Sequence, residues 1–234
     1  MCGRYTLTLK RADLERSFPE VVSLPEDRVF CERFNIAPSQ EAVVISRPDG
    51  SQPTAELMRW GLVPHWSKGP QGEVKMINAR AETLAERPAY RGLVASASGR
   101  CLVPADGFYE WQQVKPGTKQ PWRYTLADGE PFAFAGLCET WTPAEGGEPL
   151  RSFTVVTTEP NSLVAEVHDR MPAILATVEA RAAWLDNGLE PAATRELLAP
   201  LESGAMAAER VSRAVGKPSN EGPALLVPEQ QQLF

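Results

Sequence analysis

Apolar positions along this chain come in short alternating or continuous bursts rather than in long helical stripes. Residues 42–46 and 56–60 read as strands, separated by the turn residues Pro48, Asp49 and Gly50. Five more bursts, 100–104, 108–113, 123–126, 132–137 and 153–157, are bounded by Gly, Pro or Asp and predict further strands. Residues 206–211 predict a late one. Helical spacing is confined to 10–18, where Leu14 and Phe18 fall four apart on one face, and to 85–95, 162–167, 179–186 and 192–198. Strands that arrive in runs, without regular alternation with helices, predict an α+β fold. We expect one domain over 1–228, a mixed or antiparallel twisted sheet, barrel-like, with peripheral helices. The stretch from about Lys217, rich in Pro, Gly, Glu and Gln, reads as a loosely packed extension ending in a short flexible tail at 229–234.

Composition adds limits. A chain of 234 residues that is 43% hydrophobic and 23% charged can bury an ordinary globular core. No apolar run reaches a membrane span, and the first residues are too polar for a signal peptide, so a cytoplasmic protein is expected. Four cysteines without a CxxC pair, and only two histidines, make neither a metal site nor a cofactor an expectation. A net charge of −6 argues against coating nucleic acid by bulk electrostatics. A local basic groove stays open, because Arg4, Arg33, Arg59, Lys75, Arg80 and Arg170 fall among the motifs. Acidic residues instead weight segments such as 25–32 and 139–148.

Several side chains offer chemistry, each beside a blander reading. Cys2 would carry both an α-amine and a thiol if Met1 were trimmed, a step favoured by a small second residue. An amine titrating near pH ~8 and a thiol near ~8.5 both keep usable nucleophilic fractions at neutral pH. The amine can condense with an aldehyde to an imine, and the thiol can then close a thiazolidine ring. As a lone cysteine it is more often an incidental second residue. Glu110, within Gly107-Phe108-Tyr109-Glu110-Trp111, would move protons if it faced inward, or be a solvated carboxylate if it did not. His168 could stabilise a developing alkoxide or simply make a structural hydrogen bond. His65 reads as a loop residue beside an aromatic. Asn78 and Arg80 supply an amide to orient a carbonyl or amine and a guanidinium to grip phosphate. Trp60 and Trp66 could stack on unpaired bases or pack in the core.

The motifs in order say more than their members. Met1-Cys2-Gly3-Arg4-Tyr5, Arg33-Phe34-Asn35-Ile36-Ala37-Pro38, Arg59-Trp60-Gly61-Leu62-Val63-Pro64, Ile77-Asn78-Ala79-Arg80-Ala81-Glu82, Cys101-Leu102-Val103-Pro104 with Gly107-Phe108-Tyr109-Glu110-Trp111, and His168-Asp169-Arg170-Met171-Pro172 resemble the SRAP family. These are the SOS-response-associated peptidases, also called abasic-site processing proteins. The resemblance runs from residue 2 to about 228, with Val211-Ser212-Arg213-Ala214-Val215 and Gly222-Pro223 similar to the family's closing segment.

That resemblance implies a DNA-repair function. The N-terminal cysteine would crosslink to the ring-opened sugar of an abasic site in single-stranded DNA and shield it from cleavage during replication. Cys2 would supply amine and thiol, Asn78 would orient amine and aldehyde, Glu110 would move protons, and His168 would assist ring opening. Arg80 and Arg170 would hold the flanking phosphates, with Arg4, Asn35, Trp60, Trp66 and Thr158 as further groove candidates. The peptidase label would reflect self-processing at Met1, with strand cleavage by a lyase reaction as a side activity. A monomer associating with the nucleoid when DNA-bound is implied. The chain ends Gln230-Gln231-Gln232-Leu233-Phe234, which resembles the peptide bacterial proteins insert into the replicase sliding clamp; Gln230, Leu233 and Phe234 would be its anchors. Two rivals remain: an N-terminal-nucleophile peptidase acting on other proteins, and a non-covalent reader of single-stranded DNA.

Overall fold

The computed structural model describes residues 2–21, 31–48, 51–70 and 76–228. Its strands fall into two sheets. In the larger, β3 (Glu41–Ser46), β4 (Thr54–Trp60), β6 (Arg100–Ala105), β9 (Phe132–Trp141) and β10 (Leu150–Thr158) pair in the order β10-β4-β3-β6-β9. β9 then pairs back onto β10, from Leu150 opposite Trp141 to Val155 opposite Gly136, closing a five-stranded barrel. Closure removes the sheet's edges. It also explains why these strands read as nearly continuous apolar runs: β6 is buried at all six positions, one face filling the barrel and the other covered by packed elements.

The barrel's outer cover is built by local rules. α4 (Val178–Leu185) is capped at its N-terminus by the Thr177 side chain, which accepts from Ala180 N–H. It docks through Trp184, whose Nε1 donates to the Cys101 carbonyl at 3.0 Å, and packs on β6, β9 and β12 (Ile174–Leu175). α1 (Arg11–Ser17) buries Leu14, and Phe18 follows it into the core under the Arg181 guanidinium of α4. α2 (Pro88–Val94) and α5 (Pro191–Leu197) both begin with proline at a first-turn position, where a missing N–H costs no bond. α3 (Ser162–Ala165) is a single turn capped by Asn161. Among the described residues no helix is long and apolar enough to cross a membrane.

Two further features place the functional residues. The short strand β5 (Asn78–Arg80) runs parallel to β10, Asn78 opposite Val155 and Arg80 opposite Thr157, just beyond the point where β4 leaves it. β11 (Met171–Pro172) pairs with the end of β10, while β12 (Ile174–Leu175) pairs with β9. The segment between them wedges the two strands apart, with Ala173 N–H donating to Val156 O and its carbonyl accepting from Ala135 N–H.

The smaller sheet has the order β13 (Met206–Arg210), β8 (Thr118–Leu126), β7 (Gly107–Lys115), β1 (Tyr5–Leu7), β2 (Arg33–Ile36). It lies against the barrel with Tyr5 packed edge-on to both Trp60 and Phe134. β1 is anchored by Asp106, whose carboxylate accepts from Thr6 Oγ1 at 2.5 Å and from the Thr8 backbone N–H at 2.6 Å. Gly107 leaves room beside it, since a Cβ there would lie 2.8 Å from Arg123 Nε and 3.0 Å from Thr6 Oγ1 and would have to displace those side chains.

One expectation needs correction. Residues 217–228 are not a loosely packed extension. Asn35 Nδ2 donates to the carbonyls of Val215, Lys217 and Asn220, Glu221 pairs with Arg33, and Leu225 is buried. The polar composition is used up in hydrogen bonds to β2, which a reading of composition alone misses. Met1, Asp49, Gly50, Lys75, most of the acidic segment 25–32 and the tail anchors Gln230, Leu233 and Phe234 lie outside the described residues.

Candidate active site

Four polar side chains from distant parts of the chain are brought to the seam between the two sheets. The smaller sheet contributes Cys2, on the lead into β1, and Glu110 on β7. The barrel contributes Asn78 on β5 and His168 on the turn between α3 and β11. The Arg4 carbonyl accepts from Tyr109 N–H at 3.0 Å, so the β1–β7 ladder continues outward and carries Cys2 alongside Glu110. Across the seam, Asn78 Nδ2 donates to the Cys2 carbonyl at 2.9 Å. That bond fixes the amide's orientation, since the opposite flip would set two oxygens face to face. Asn78 Oδ1 is then a buried acceptor with no hydrogen-bond partner among the described residues. An orphaned acceptor of this kind is costly unless a ligand or reacting group supplies the donor.

Glu110 is 2% exposed, and burial pushes its carboxyl up to about 7. It therefore holds and releases a proton with comparable ease at neutral pH. His168 Nε2 stands 4.0 Å from Glu110 Oε2, too far for a direct hydrogen bond and close enough to flank one reacting atom. Two groups compete for His168 Nδ1: the Arg170 backbone N–H donates to it at 3.0 Å, and Asp169 Oδ1 lies at 2.9 Å. The backbone donor is fixed, whereas the Asp169 side chain is 89% exposed and free to turn. The fixed backbone donor assigns the proton of the neutral ring to Nε2, on the Glu110 side. Burial lowers the His168 pKa and favours the same neutral form. Cys2 is fully buried, and burial raises its thiol well above the ordinary value, so the sulfur is protonated here.

The arginine edge lies beside this centre. Alternation along β5 buries Ala79 and puts Asn78 and Arg80 on the same face, Asn78 half-buried and Arg80 exposed. Arg170 comes from the β11 side. Its guanidinium makes a two-pronged pair with Glu82, at 2.6 and 2.9 Å, and donates to Thr157 O at 2.7 Å.

The weaker groove candidates divide. Trp60 is fully buried: it stacks on Phe153 and donates Nε1–H to Ile77 O, so it is a core residue and presents no face to a base. Asn35 is also fully buried, and Arg4 donates to Asn35 Oδ1 and to the carbonyls of Val215 and Gly216. These two form a joint holding the C-terminal segment rather than a groove wall. Thr158 ends β10 at 5% exposure, bordering a cleft beside Glu82. Trp66 is 53% exposed and offers a free face, edge-on to His65, which pairs with Glu139. Glu139 is opposite Ser152, five residues before Thr157, which puts Trp66 roughly 17 Å along β10 from the arginine edge. Two residues that sequence reading passed over are Asp106, which looked like turn punctuation, and Glu82, which lay unremarked at the end of the Asn78 motif. Both act through partners far away in sequence.

Comparison with known proteins fits this geometry. The model of the SOS response associated peptidase (SRAP) family matches residues 1–218. The chain is 43% identical to the abasic site processing protein YoqW of Bacillus subtilis, over 97% of this chain and 99% of that protein. It is 34% identical to the abasic site processing protein HMCES of Gallus gallus, over 97% of this chain and 78% of that protein. Among solved structures, a protein from Bacteroides thetaiotaomicron superposes with a TM-score of 0.83 at 24% identity, covering 98% of this chain and all of that one, a likeness of fold alone.

Proposed function

From the premise that the chain belongs to the SRAP family, we propose that it processes abasic sites in single-stranded DNA by covalent capture through Cys2. Met1 is first removed, leaving an aminothiol terminus at the seam. The observation that carries the reading is the Asn78 contact: one side of the amide holds the Cys2 carbonyl, and the other side is a buried acceptor awaiting a donor. The freed α-amine of Cys2 is such a donor.

The chemistry follows from the neighbours. His168 Nε2–H hydrogen-bonds the sugar ring oxygen as the C1′–O4′ bond breaks, and the C1′ hydroxyl proton passes by way of the Glu110 carboxylate to that oxygen, releasing the C1′ aldehyde. Glu110 takes a proton from the Cys2 ammonium, and the amine adds to C1′. The nitrogen passes one of its protons to the carbinolamine oxygen, Glu110 returns the other, and the oxygen leaves as water to give the iminium. The Cys2 sulfur adds to the iminium carbon while its proton passes to the Glu110 carboxylate, closing a neutral thiazolidine. A buried, protonated thiol suits that order, because sulfur acts only after the imine has formed. Arg80 and Arg170 hold the phosphates on either side, and Trp66 offers a stacking face. Unstacked single strands fit such a seam better than a duplex. In the same reading, Gln230, Leu233 and Phe234 dock on the sliding clamp.

The test is a denaturing gel of purified protein with a single-stranded oligonucleotide bearing one abasic site. A heat-stable adduct that disappears in Cys2→Ala is expected. A protein lacking Met1 that forms no adduct contradicts the proposal and leaves the non-covalent reader or the peptidase.

A further inference from the structure

We infer that Glu82 is a specificity-determining residue, an internal stand-in for a DNA phosphate that holds Arg170 and keeps the affinity for undamaged single strands low. The inference rests on the proposed DNA-binding role of Arg170, and three features of the structure lead to it.

The first is geometry. The Glu82 carboxylate engages the guanidinium through two parallel bonds, Nη1 to Oε1 at 2.6 Å and Nη2 to Oε2 at 2.9 Å. This is the same two-pronged arrangement in which arginine takes a phosphate. A phosphate approaching that fork meets a carboxylate already in place, and two anions cannot share it at contact distance without strong repulsion. The hydrogen bonds from Arg170 also hold the Glu82 carboxyl below its ordinary range, so the competitor is ionised throughout the neutral region.

The second feature is asymmetry of burial. The Arg170 side chain is 12% exposed and held in place by Thr157 O, whereas Glu82 is 45% exposed. The arginine is the fixed partner and the glutamate the movable one. Arg170 Nε is moreover a buried donor with no partner among the described residues, so this guanidinium is not saturated by Glu82.

The third feature is where Glu82 can go. It borders a cleft of about 800 Å³ that is also lined by two cations, Arg91 and Arg195, and by one other carboxylate, Glu159. A phosphate arriving at Arg170 can displace the carboxylate towards those two cations without repacking the core. Until it does so, the edge presents two guanidinium charges, Arg80 and Arg170, against one carboxylate. Intact DNA, held by phosphate contacts alone, feels that competition in full. An abasic strand also forms a covalent bond, which outweighs it. Glu82 thereby widens the difference between damaged and undamaged strands.

The experiment measures binding of an intact single-stranded oligonucleotide over a salt series, for wild type, Glu82→Gln, Arg170→Gln and the double variant. Glu82→Gln is near-isosteric, and a thermal melt checks that it is folded. We expect it to bind three- to tenfold more tightly at low salt, with a log–log salt slope steeper by about 0.7, the increment of one more neutralised phosphate on a single strand. In the Arg170→Gln background the same change should have no effect on slope. Equal or weaker binding by folded Glu82→Gln, or a gain that persists without Arg170, overturns the inference. Adduct formation by the wild type on an abasic oligonucleotide separates the two levels: an adduct with no Glu82 effect sinks this inference alone, and no adduct sinks the proposed function.

Discussion

The reaction centre and the arginine edge are neighbours built on opposite plans. At the centre, Cys2 and Glu110 are buried and Asn78 is half-buried, each placed by strand pairing within its own sheet and joined by one hydrogen bond across the seam before any substrate arrives. At the edge, Arg80 is exposed and Arg170 is occupied by an anion of the protein's own. Preorganised dipoles and proton carriers act without rearrangement at the moment of reaction. Phosphate contacts only position the strand, and they gain from being adjustable. The contrast teaches that chemistry is installed in the fold here, while grip is conditional.

The change that breaks this contrast hardest is Glu110→Gln. It removes the proton carrier while keeping the shape, and we expect the crosslinking rate to fall by roughly 10²–10⁴. Single-turnover gels across pH 5.5–8.5 would read it, and the wild type's inflection near 7 should be absent in the variant. Stability should move the other way. The folded carboxyl titrates near 7, above the ordinary 4.5 of the unfolded chain, so the native state binds more protons between those values. Wild-type stability therefore falls as pH rises from about 4.5 to 7, by up to roughly 3 kcal/mol, and Glu110→Gln should flatten that slope in thermal melts.

Arg4→Met probes the boundary from the structural side. It deletes the bonds to Asn35, Val215 and Gly216 and leaves Asn35 Oδ1 without its donor, while Val215 O keeps its bond from Asn35 Nδ2, for a loss of roughly 1–3 kcal/mol in denaturant unfolding. The salt dependence of DNA binding should be unchanged, which would distinguish a joint from a groove wall. The smallest expected effect is that of Arg80→Gln, which leaves stability untouched and reduces the salt slope for single-stranded DNA by about 0.7.

How much of this was legible in the sequence follows the same division. The barrel strands and the five α-helices among the described residues overlap the stretches that apolar spacing and turn residues predict, because most of them bury their own apolar positions. β1, β2 and β5 escaped notice: they are three or four residues long, and two of them carry arginine, so their stability comes from partners rather than propensity. Cys2, Asn78, Glu110 and His168 were nameable as a set only through motif order, since their meeting depends on how two sheets pack. Trp60 shows the limit plainly. As a residue type it suits stacking on bases, and only the register of β4 beside β10 reveals that it is enclosed. Asp106 and Glu82 stayed hidden for a related reason, each being defined by a distant partner, 100 residues away for Asp106 and 88 for Glu82.

The central claim is that the Cys2 aminothiol is the reacting group, and intact-mass spectrometry tests it most directly. The free protein should lack the mass of Met1, and the adduct with an abasic oligonucleotide should weigh the sum of the two less one water, as a thiazolidine requires. Met1 retained on protein that still forms the adduct, or an adduct undiminished in Cys2→Ala, would contradict it.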